Sequence, residues 1–272
     1  MQNAWAVANK YGTMKILVCV KQVPDMDHMT VIEDPRGGAV VGEFNTLRMN
    51  RGDEFAVEAA LQLKGSLLGV QVDALTVGPA SALAVLRRAV GMGADKAVHL
   101  LTAGGQETGP AAVAQQISRY ARHRHYALIL FGTLSEDGMH GQVGPMTAAL
   151  MDFPCATQVI GMRVGDDGGS VLVQREVAAG MRERLWLMLP AVISVQPGIN
   201  RPRYPSLSNL LRANKQVVET ITVYGCESGG DAVTCVGLRF PPRRRASKLL
   251  EGSTQEKAQR FVSILAAKAF IP

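Results

Sequence analysis

Short apolar runs alternate with helix-periodic segments from residue 14 to residue 150, and this alternation constrains the fold more than any other feature. Four strands are predicted by the apolar runs 14–20, 71–77, 96–100 and 126–131. A segment with the periodicity of an amphipathic helix follows each strand, at about 54–64, 80–90, 110–122 and 142–151. Because a crossover helix joins neighbouring parallel strands, the pattern predicts an α/β fold with a doubly wound parallel sheet and helices on both faces.

Two departures from the alternation predict additions to this sheet. Residues 26–49 carry two short β-type runs around 34–38, which indicate a hairpin excursion. Beyond residue 154, the runs 156–164, 170–177 and 184–189 are separated by glycine-rich turns and favour added antiparallel strands, before a further strand at 191–196. Asn50 and Asp53 are both candidate N-caps of the first helix. Gly91 and Gly93 are expected to close the second helix.

The chain is predicted to consist of one main domain and a C-terminal arm. Residues 1–13 are weakly patterned and are interpreted as a disordered or wrongly assigned start, and residues 14–222 as the α/β domain. Residues 198–212 are expected to form an ordered loop, with one helical turn at about 210–214. The arm, 223–272, is rich in Gly, Pro and Arg and then carries a capping box, Ser253 to Glu256, before a terminal amphipathic helix. That helix either folds back on its own domain or docks on another chain.

A glycine-rich segment, with glycines at 132, 138, 141 and 144, joins the fourth strand to the next helix. Ligands of doubly wound sheets bind beyond the carboxyl ends of the strands, where helix N-termini attract phosphate. That rule brings 19–23, 77–79 and 132–143 to one rim. The segment therefore favours a nucleotide pocket, although a purely structural glycine turn is the open alternative.

Composition and spacing exclude several classes of protein. The longest largely apolar run, 185–195, contains Pro190 and is too short to span a bilayer, so no membrane insertion is expected. No secretory signal is visible, and the predicted location is cytoplasmic. The four cysteines form no CxxC pair and lie near no histidine, so no metal site is predicted. The net charge of +6 suggests nucleic acid, but no nucleic-acid-binding motif accompanies it, and that hypothesis ranks last.

Several short motifs, in one order from about residue 14 to 220, resemble the beta subunit of electron transfer flavoprotein. The most specific is the proline–arginine–tyrosine segment 200–207, with Asn209, after the Leu-Pro-Ala-Val run 189–192. The other matching pieces are 16–25, Asn50 with 55–60, 88–95, Asp137-Gly with 142–145, and Arg175-Glu176.

The resemblance implies a partner and a cofactor. Beta subunits of this family pair with an alpha subunit that carries an electron-shuttling FAD, and they bury AMP or, in electron-bifurcating members, a second FAD. By position, the implied cofactor-binding residues are Cys19, Asn50, Arg51, Gly52, Asp53, Val77, Gly132, Thr133, Leu134, Ser135, Glu136, Asp137, Gly138, Met139, His140, Gly141, Gln142 and Val143. Met139, His140 and Gly141 depart from both types of member, whereas Val143 and Pro145 lean toward the bifurcating type. AMP and FAD therefore both remain open.

The resemblance also implies a docking surface for acyl-CoA dehydrogenase or another flavin dehydrogenase, and a quinone-linked oxidoreductase is a further open partner. The implied docking residues are Arg203, Tyr204, Pro205, Ser206 and Leu207, with Leu207 as the anchor. Glu176 matches an acidic residue that contacts the mobile FAD domain. The alternatives are that Leu207 covers its own core and that Glu176 is a solvated charge.

Two hypotheses of different classes follow. The first is a non-catalytic subunit of a heterodimeric electron carrier, with no catalytic residues of its own and electron bifurcation in the complex as an open question. The second is a stand-alone adenine-nucleotide-binding enzyme or sensor on the same fold. For catalysis the rim offers only Asp25, Glu136, Asp137 and His140, without a phosphate-loop lysine motif.

Overall fold

The structure is a computed structural model that describes residues 13–25, 27, 31–33, 39–41, 46–102, 109–224, 247 and 249–270. The chain divides into two compact units, one within residues 1–32 and 41–236 and the other within 33–40 and 237–272. Three predicted features lie largely or wholly outside the described residues: the start at 1–13, the hairpin turn at 34–38 and the arm from 225 to 246.

The main strands and helices occur in the order that the sequence predicts, but sequence reasoning missed the edge strand Glu219–Val223, which pairs with the strand Lys96–Thr102. The strands are β1 (Met14–Cys19), β2 (Gln22–Pro24), β3 (Val31–Glu33), β4 (Ala39–Val41), β5 (Leu47–Met49), β6 (Val70–Gly78), β7 (Lys96–Thr102), β8 (Leu128–Gly132), β9 (Cys155–Val164), β10 (Ser170–Glu176), β11 (Arg182–Met188), β12 (Ala191–Val195) and β13 (Glu219–Val223). The helices are α1 (Arg51–Ser66), α2 (Leu83–Met92), α3 (Pro110–Ala121), α4 (Val143–Met151), α5 (Leu207–Lys215) and α6 (Thr254–Ala267).

A nine-stranded sheet has the order β11-β10-β9-β12-β8-β1-β6-β7-β13. All neighbours from β9 to β13 run parallel, whereas β10 is antiparallel to both β9 and β11. The predicted α/β class, with a parallel sheet and added antiparallel strands, is therefore confirmed. Two-stranded sheets pair β2 with β5 and β3 with β4.

Two hydrophobic cores cover the two faces of the sheet. In β1, Ile16 and Val18 pack in the core that includes residues of α1 and α2, whereas Leu17 and Cys19 pack in the core that includes residues of α3 and α4. Successive side chains of a strand point to opposite faces, so one strand supplies both cores. Each fully buried leucine or isoleucine contributes on the order of 2 kcal/mol to stability.

Three boundaries differ from the predictions. Helix α1 begins at Arg51 rather than near residue 54, because the chain already turns at Asn50. Gly91 lies inside α2, and only Gly93, with a φ of 134°, ends that helix. Helix α5 begins at Leu207, inside the predicted loop 198–212, because the Ser206 hydroxyl caps it by accepting the N–H of Asn209.

The terminal helix α6 begins as predicted. Ser253 and Glu256 form the full capping box, with the Ser253 N–H donating to the Glu256 carboxylate at 2.7 Å. Its apolar side chains Phe261 and Val262 are more than half exposed. Among the helices in the described ranges, none has the length and apolar character that crossing a bilayer requires.

Candidate functional site

A pocket of about 440 Å³ opens at the carboxyl ends of β1, β6, β7 and β8. Because parallel strands all end at the same edge, the segments that follow them converge there. Its lining comprises Cys19, Val20, Lys21, Gln22, Asn50, Asp53, Leu75, Val77, Gly78, Pro79, Ala82, Thr102, Gly109, Pro110, Val113, Ile117, Phe131, Gly132, Leu134, Ser135, Asp137, Gly138, His140, Gly141, Val143 and Gly144.

The walls of the pocket combine apolar side chains with helix N-termini. Leu75, Val113, Ile117 and Phe131 supply apolar surface from the strands and from α3. The first residues of α3 and α4 and the N-cap of α1 also line the pocket. Gln142 does not cap α4 with its side chain, and first-turn N–H groups have no partners within a helix. The pocket thus offers an apolar slot for a planar group beside N–H groups suited to an anion.

Asp53 forms the buried polar centre of the pocket. Its carboxylate accepts hydrogen bonds from the N–H of Lys21 at 2.7 Å, the N–H of Gly132 at 3.1 Å and the Asn50 amide at 3.1 Å. Burial raises the pKa of Asp53 to about 7, although these donors and the Lys21 charge act in the opposite direction. Burial, and then the charge of Asp53, raise the pKa of the Cys19 thiol well above its usual range.

The loop 133–142, called the pocket loop below, is held by the side chain of Asn50. The Asn50 Nδ2 donates to the carbonyl oxygen of Leu134 at 2.9 Å, and Asn50 Oδ1 accepts the N–H of Glu136 at 3.0 Å. Asn50 does occupy the N-cap position of α1, but its side chain makes no capping bond. The prediction of Asn50 as the N-cap is therefore right in position, although its side chain binds the pocket loop instead of the helix. Asp53 lies inside α1 and binds β8, so it is not the cap.

Ion pairs join the pocket loop to the rest of the rim. The Lys21 ammonium lies 2.6 Å from Asp137 Oδ2, and Arg48 Nη2 lies 3.3 Å from Glu136 Oε2. Burial alone would raise the pKa of Asp137, but hydrogen bonding and charge from Lys21, with hydrogen bonds from the Gly138 N–H and the Ser135 hydroxyl, together lower it. Arg51 pairs with Asp27 and lies 3.7 Å from Glu136 Oε1.

The glycines at 132 and 141, in the glycine-rich segment after β8, are explained by contacts within the chain. A Cβ on Gly132 would lie 2.5 Å from Asp53 Oδ1 and 2.6 Å from the carbonyl carbon of Gly52. A Cβ on Gly141 would lie 2.7 Å from the Thr133 carbonyl oxygen. These glycines therefore let the pocket loop pack on β8 and α1, which builds the pocket whether or not a ligand approaches them.

The structure brings together most of the residues that the resemblance selected. Twelve of the eighteen line the pocket: Cys19, Asn50, Asp53, Val77, Gly132, Leu134, Ser135, Asp137, Gly138, His140, Gly141 and Val143. The other six lie behind or outside its surface: Arg51, Gly52, Thr133, Glu136, Met139 and Gln142. Thr133 donates to the Val195 carbonyl oxygen at 2.8 Å, Met139 is 68% exposed, and Arg51 and Glu136 form the ion pairs described above.

Sequence reasoning missed the wall formed by the end of β7 and the start of α3. This wall includes Thr102, Gly109, Pro110, Val113 and Ile117, and residues 103–108 between them lie outside the described part. The signal was present, because the rule that selects carboxyl ends of strands applies to β7 as well. The Gly-Pro pair at 109–110 also marked the start of this helix in the sequence.

The residues of the predicted docking surface divide into anchored and exposed ones. The Arg203 guanidinium donates to Glu58 at 2.7 and 2.9 Å, so it faces the chain's own helix α1. The neighbouring Tyr204 is 87% exposed, and Leu207 is 74% exposed. The alternative that Leu207 covers its own core is therefore wrong. Pro205 is partly buried, and Ser206 caps α5.

Glu176 ends β10 and is half-buried rather than fully solvated. Its Oε2 accepts a hydrogen bond from the Gln196 amide at 2.8 Å.

Two acidic residues on the pocket rim, Glu136 and Asp137, form ion pairs within the chain. Glu136 pairs with Arg48, and Asp137 pairs with Lys21. Within the described ranges, no group of three or more His, Cys, Asp and Glu side chains is placed to hold a metal ion.

Comparison with known proteins finds relatives over most of the chain. The family profile of the electron transfer flavoprotein domain matches residues 38–224. The electron transfer flavoprotein subunit beta of Bacillus subtilis is 31% identical over 261 residues, which cover 94% of this chain and 99% of that protein. The human protein of the same name is 32% identical over 243 residues, 88% of this chain and 93% of that protein. A rice relative, named as mitochondrial, is 34% identical over 240 residues, 87% of this chain and 93% of that protein.

Proposed function

The chain belongs to the electron transfer flavoprotein family, as a relative of its beta subunits, and we propose that its pocket binds AMP or a second FAD. In this proposal the chain pairs with an alpha subunit, whose FAD shuttles electrons, and docks acyl-CoA dehydrogenase or another flavin dehydrogenase. The chain itself catalyses no reaction. A quinone-linked oxidoreductase is the proposed further partner.

The observation that carries the proposal is the pocket at the carboxyl ends of β1, β6, β7 and β8. Its volume of about 440 Å³ falls within the range of small-molecule sites. The apolar side chains around Leu75, Ile117 and Phe131 suit an adenine ring, and the helix N-termini suit a phosphate. Asn50, Ser135 and His140 are polar side chains on the same lining that fit a ribose or an adenine edge.

The chemistry of the pocket limits how much negative charge a ligand can bring. Lys21 is the one Lys or Arg on the described lining, and its ammonium is already paired with Asp137. Asp53 adds a carboxylate at the centre. A monophosphate or a diphosphate ester that points toward helix N-termini therefore suits the pocket better than a triphosphate. An FAD bound here would add a second redox centre, which is the basis of the bifurcating alternative.

The docking role is supported by the exposure of Tyr204 and Leu207 beside an anchored Arg203. An apolar side chain held on a fixed backbone can enter a pocket on a partner with little further loss of entropy. The proposed compartment is the cytoplasm, where free thiols such as Cys19 and Cys155 stay reduced.

Co-expression with an alpha subunit from the same genome tests the proposal. The expected result is a heterodimer with a flavin spectrum whose heat-released extract contains one adenine nucleotide for the beta pocket. FAD in excess of one per heterodimer would identify the bifurcating type, and AMP the other type. A chain that forms no complex and releases no adenine nucleotide would contradict the proposal, whereas a stable monomer that hydrolyses or adenylates a nucleotide would favour the stand-alone alternative.

A further inference from the structure

We propose that Glu58 is the positioning residue of the docking segment, defined as residues 198–207, and that it orients the segment by holding Arg203. The inference rests on the proposed function, because it takes the docking segment as the surface that meets a flavin dehydrogenase. Glu58 lies on α1 and belongs to neither the pocket lining nor the docking residues that the sequence predicted.

Glu58 is a buried carboxylate whose side-chain hydrogen bonds, within the described residues, all come from Arg203. It is only 4% exposed, and both of its oxygens accept hydrogen bonds from Arg203. The distances are 2.7 Å from Nε, 2.9 Å from Nη2 and 3.2 Å from the backbone N–H. A bidentate guanidinium–carboxylate pair fixes direction as well as distance. The added backbone bond means that Glu58 holds the main chain of the segment in addition to its side chain.

The Glu58–Arg203 pair determines which side chains of the following residues are exposed to a partner. The Arg203 side chain is directed to α1, whereas the ring of the next residue, Tyr204, is exposed. The Arg88 guanidinium lies 5.2 Å from the centre of that ring. Arg88 is in turn held by Glu54, one helical turn before Glu58, at 2.7 Å. Leu207 then begins α5, where its side chain is exposed as well.

Two other contacts, one hydrogen bond and one packing contact, join the docking segment to helices α1 and α2. The Asn200 amide donates to the Phe55 carbonyl oxygen at 3.0 Å. Pro205 and Leu210 approach α2 at Gly91, where a Cβ would lie 3.3 Å from Pro205 and 3.0 Å from Leu210. Neither contact is both charged and directional, so the Glu58–Arg203 pair alone among these sets the orientation of the segment around Arg203.

The pair contributes orientation more than net stability. The Glu58 carboxylate is buried, whereas the Arg203 side chain is 49% exposed. The cost of desolvating the buried carboxylate offsets much of the attraction, so apolar side chains of similar size can replace such a pair with little loss of folding stability. Methionines at both positions would fill the space without fixing the direction of the chain. A positioning role and a purely structural role therefore make different predictions for the same double substitution.

The experiment uses the nucleotide-loaded heterodimer and measures its reduction by a flavin dehydrogenase that reduces the wild type. The variants are Glu58→Gln and the double substitution Glu58→Met with Arg203→Met. Lys64→Met is the matched control, since it removes an ion pair with Asp95 from the same helix at a distance from the segment. Limited chymotrypsin cleavage after Leu207 reports the mobility of the segment without any dehydrogenase, whereas the Tyr204–Pro205 bond resists the protease because proline follows it.

Both Glu58 variants are expected to raise the KM for the heterodimer by about tenfold, the scale of one lost charge-assisted hydrogen bond, with kcat unchanged. Cleavage after Leu207 should accelerate, while the double substitution keeps its nucleotide and its melting temperature. Unchanged KM and cleavage, or equal changes in the Lys64 control, would overturn the inference. If no dehydrogenase reduces even the wild type, the proposed function fails, and the cleavage rates still decide whether Glu58 positions the segment.

Discussion

The pocket loop and the docking segment are both irregular stretches held by helix α1, but they are held in different ways. The pocket loop is fixed by neutral hydrogen bonds from Asn50, by close backbone packing at Gly132 and Gly141, and by several partly exposed ion pairs at its rim. The docking segment is fixed mainly by one buried carboxylate, Glu58, and its close contact with α2 involves side-chain atoms. Both attachments lie within the first eight residues of α1 and its N-cap.

The difference matches what each stretch would have to do. Backbone-to-backbone contacts leave no room for adjustment, which suits a wall around a ligand that stays bound. A single directional anchor leaves the apolar side chains Tyr204 and Leu207 exposed to solvent, which suits a partner that arrives and leaves. Four predictions test this contrast, from the largest expected effect to the smallest.

Asp53, the buried carboxyl of the pocket, should make the free energy of unfolding depend on pH. Its pKa is about 7 in the folded protein and 3.8 in the unfolded chain, so the folded state binds the extra proton between these values. Stability from this group is therefore highest below about pH 4 and falls as the pH rises to about 7, by on the order of 4 kcal/mol at 1.36 kcal/mol per unit. Urea titrations of wild type and Asp53→Asn should show this slope in the wild type alone. Parallel pH profiles would refute the assignment.

An added methyl group should cost more stability at the pocket than beside the docking segment. Gly132→Ala places a Cβ against the backbone of Gly52 and should cost about 3 kcal/mol of stability. Gly91→Ala meets only the side chains of Leu210 and Pro205 and gains helix propensity, so its stability should stay within about 1 kcal/mol of wild type. Denaturant midpoints measure both variants. Equal losses would show that the two regions are packed alike.

Asn50→Ala should loosen the pocket loop without affecting the docking segment. The substitution leaves the Leu134 carbonyl oxygen and the Glu136 N–H without their partner and should cost about 2 kcal/mol. Nucleotide retained through gel filtration should fall sharply, while the KM for a dehydrogenase stays unchanged at saturating nucleotide. Asn214→Ala, an exposed asparagine in α5, is the control and should change stability by less than about 0.5 kcal/mol.

Lys21→Met should have the smallest effect. The side chains of Lys21 and Asp137 are 49% and 23% exposed, and ion pairs in such surroundings are worth less than about 1 kcal/mol. The loss of stability should shrink further in high salt, because exposed charges are screened. A salt-independent loss of several kcal/mol would instead make this pair a main support of the pocket loop.

The parts of the fold that depend on local periodicity could be predicted from the sequence. The alternating apolar runs define the parallel sheet, and Ser253 with Glu256 defines the start of α6, since both signals are short-range. The rule for carboxyl ends also selected most of the pocket lining. It was not applied to β7, and the wall from Thr102 to Ile117 was missed for that reason.

Other features could not be predicted because they depend on tertiary contacts. Asn50 looks like a helix cap in the sequence, but its amide binds a loop 84 positions away. Glu58 looks like an ordinary helix charge, and only the fold reveals that Arg203, 145 positions later, satisfies it. The glycines at 132 and 141 looked like an opening for a ligand, whereas they make room for neighbouring backbone. Leu207 was expected in a loop, but Ser206 begins a helix there.

Amide hydrogen exchange of the heterodimer, with and without added adenine nucleotide, tests the central claim most directly. If the pocket at the ends of β1, β6, β7 and β8 holds the nucleotide, protection should increase at the pocket loop, at 19–21 and at 50–53, while the docking segment is unchanged. Protection that appears elsewhere in the chain, or none at all at saturating nucleotide, would contradict the claim that this pocket is the binding site.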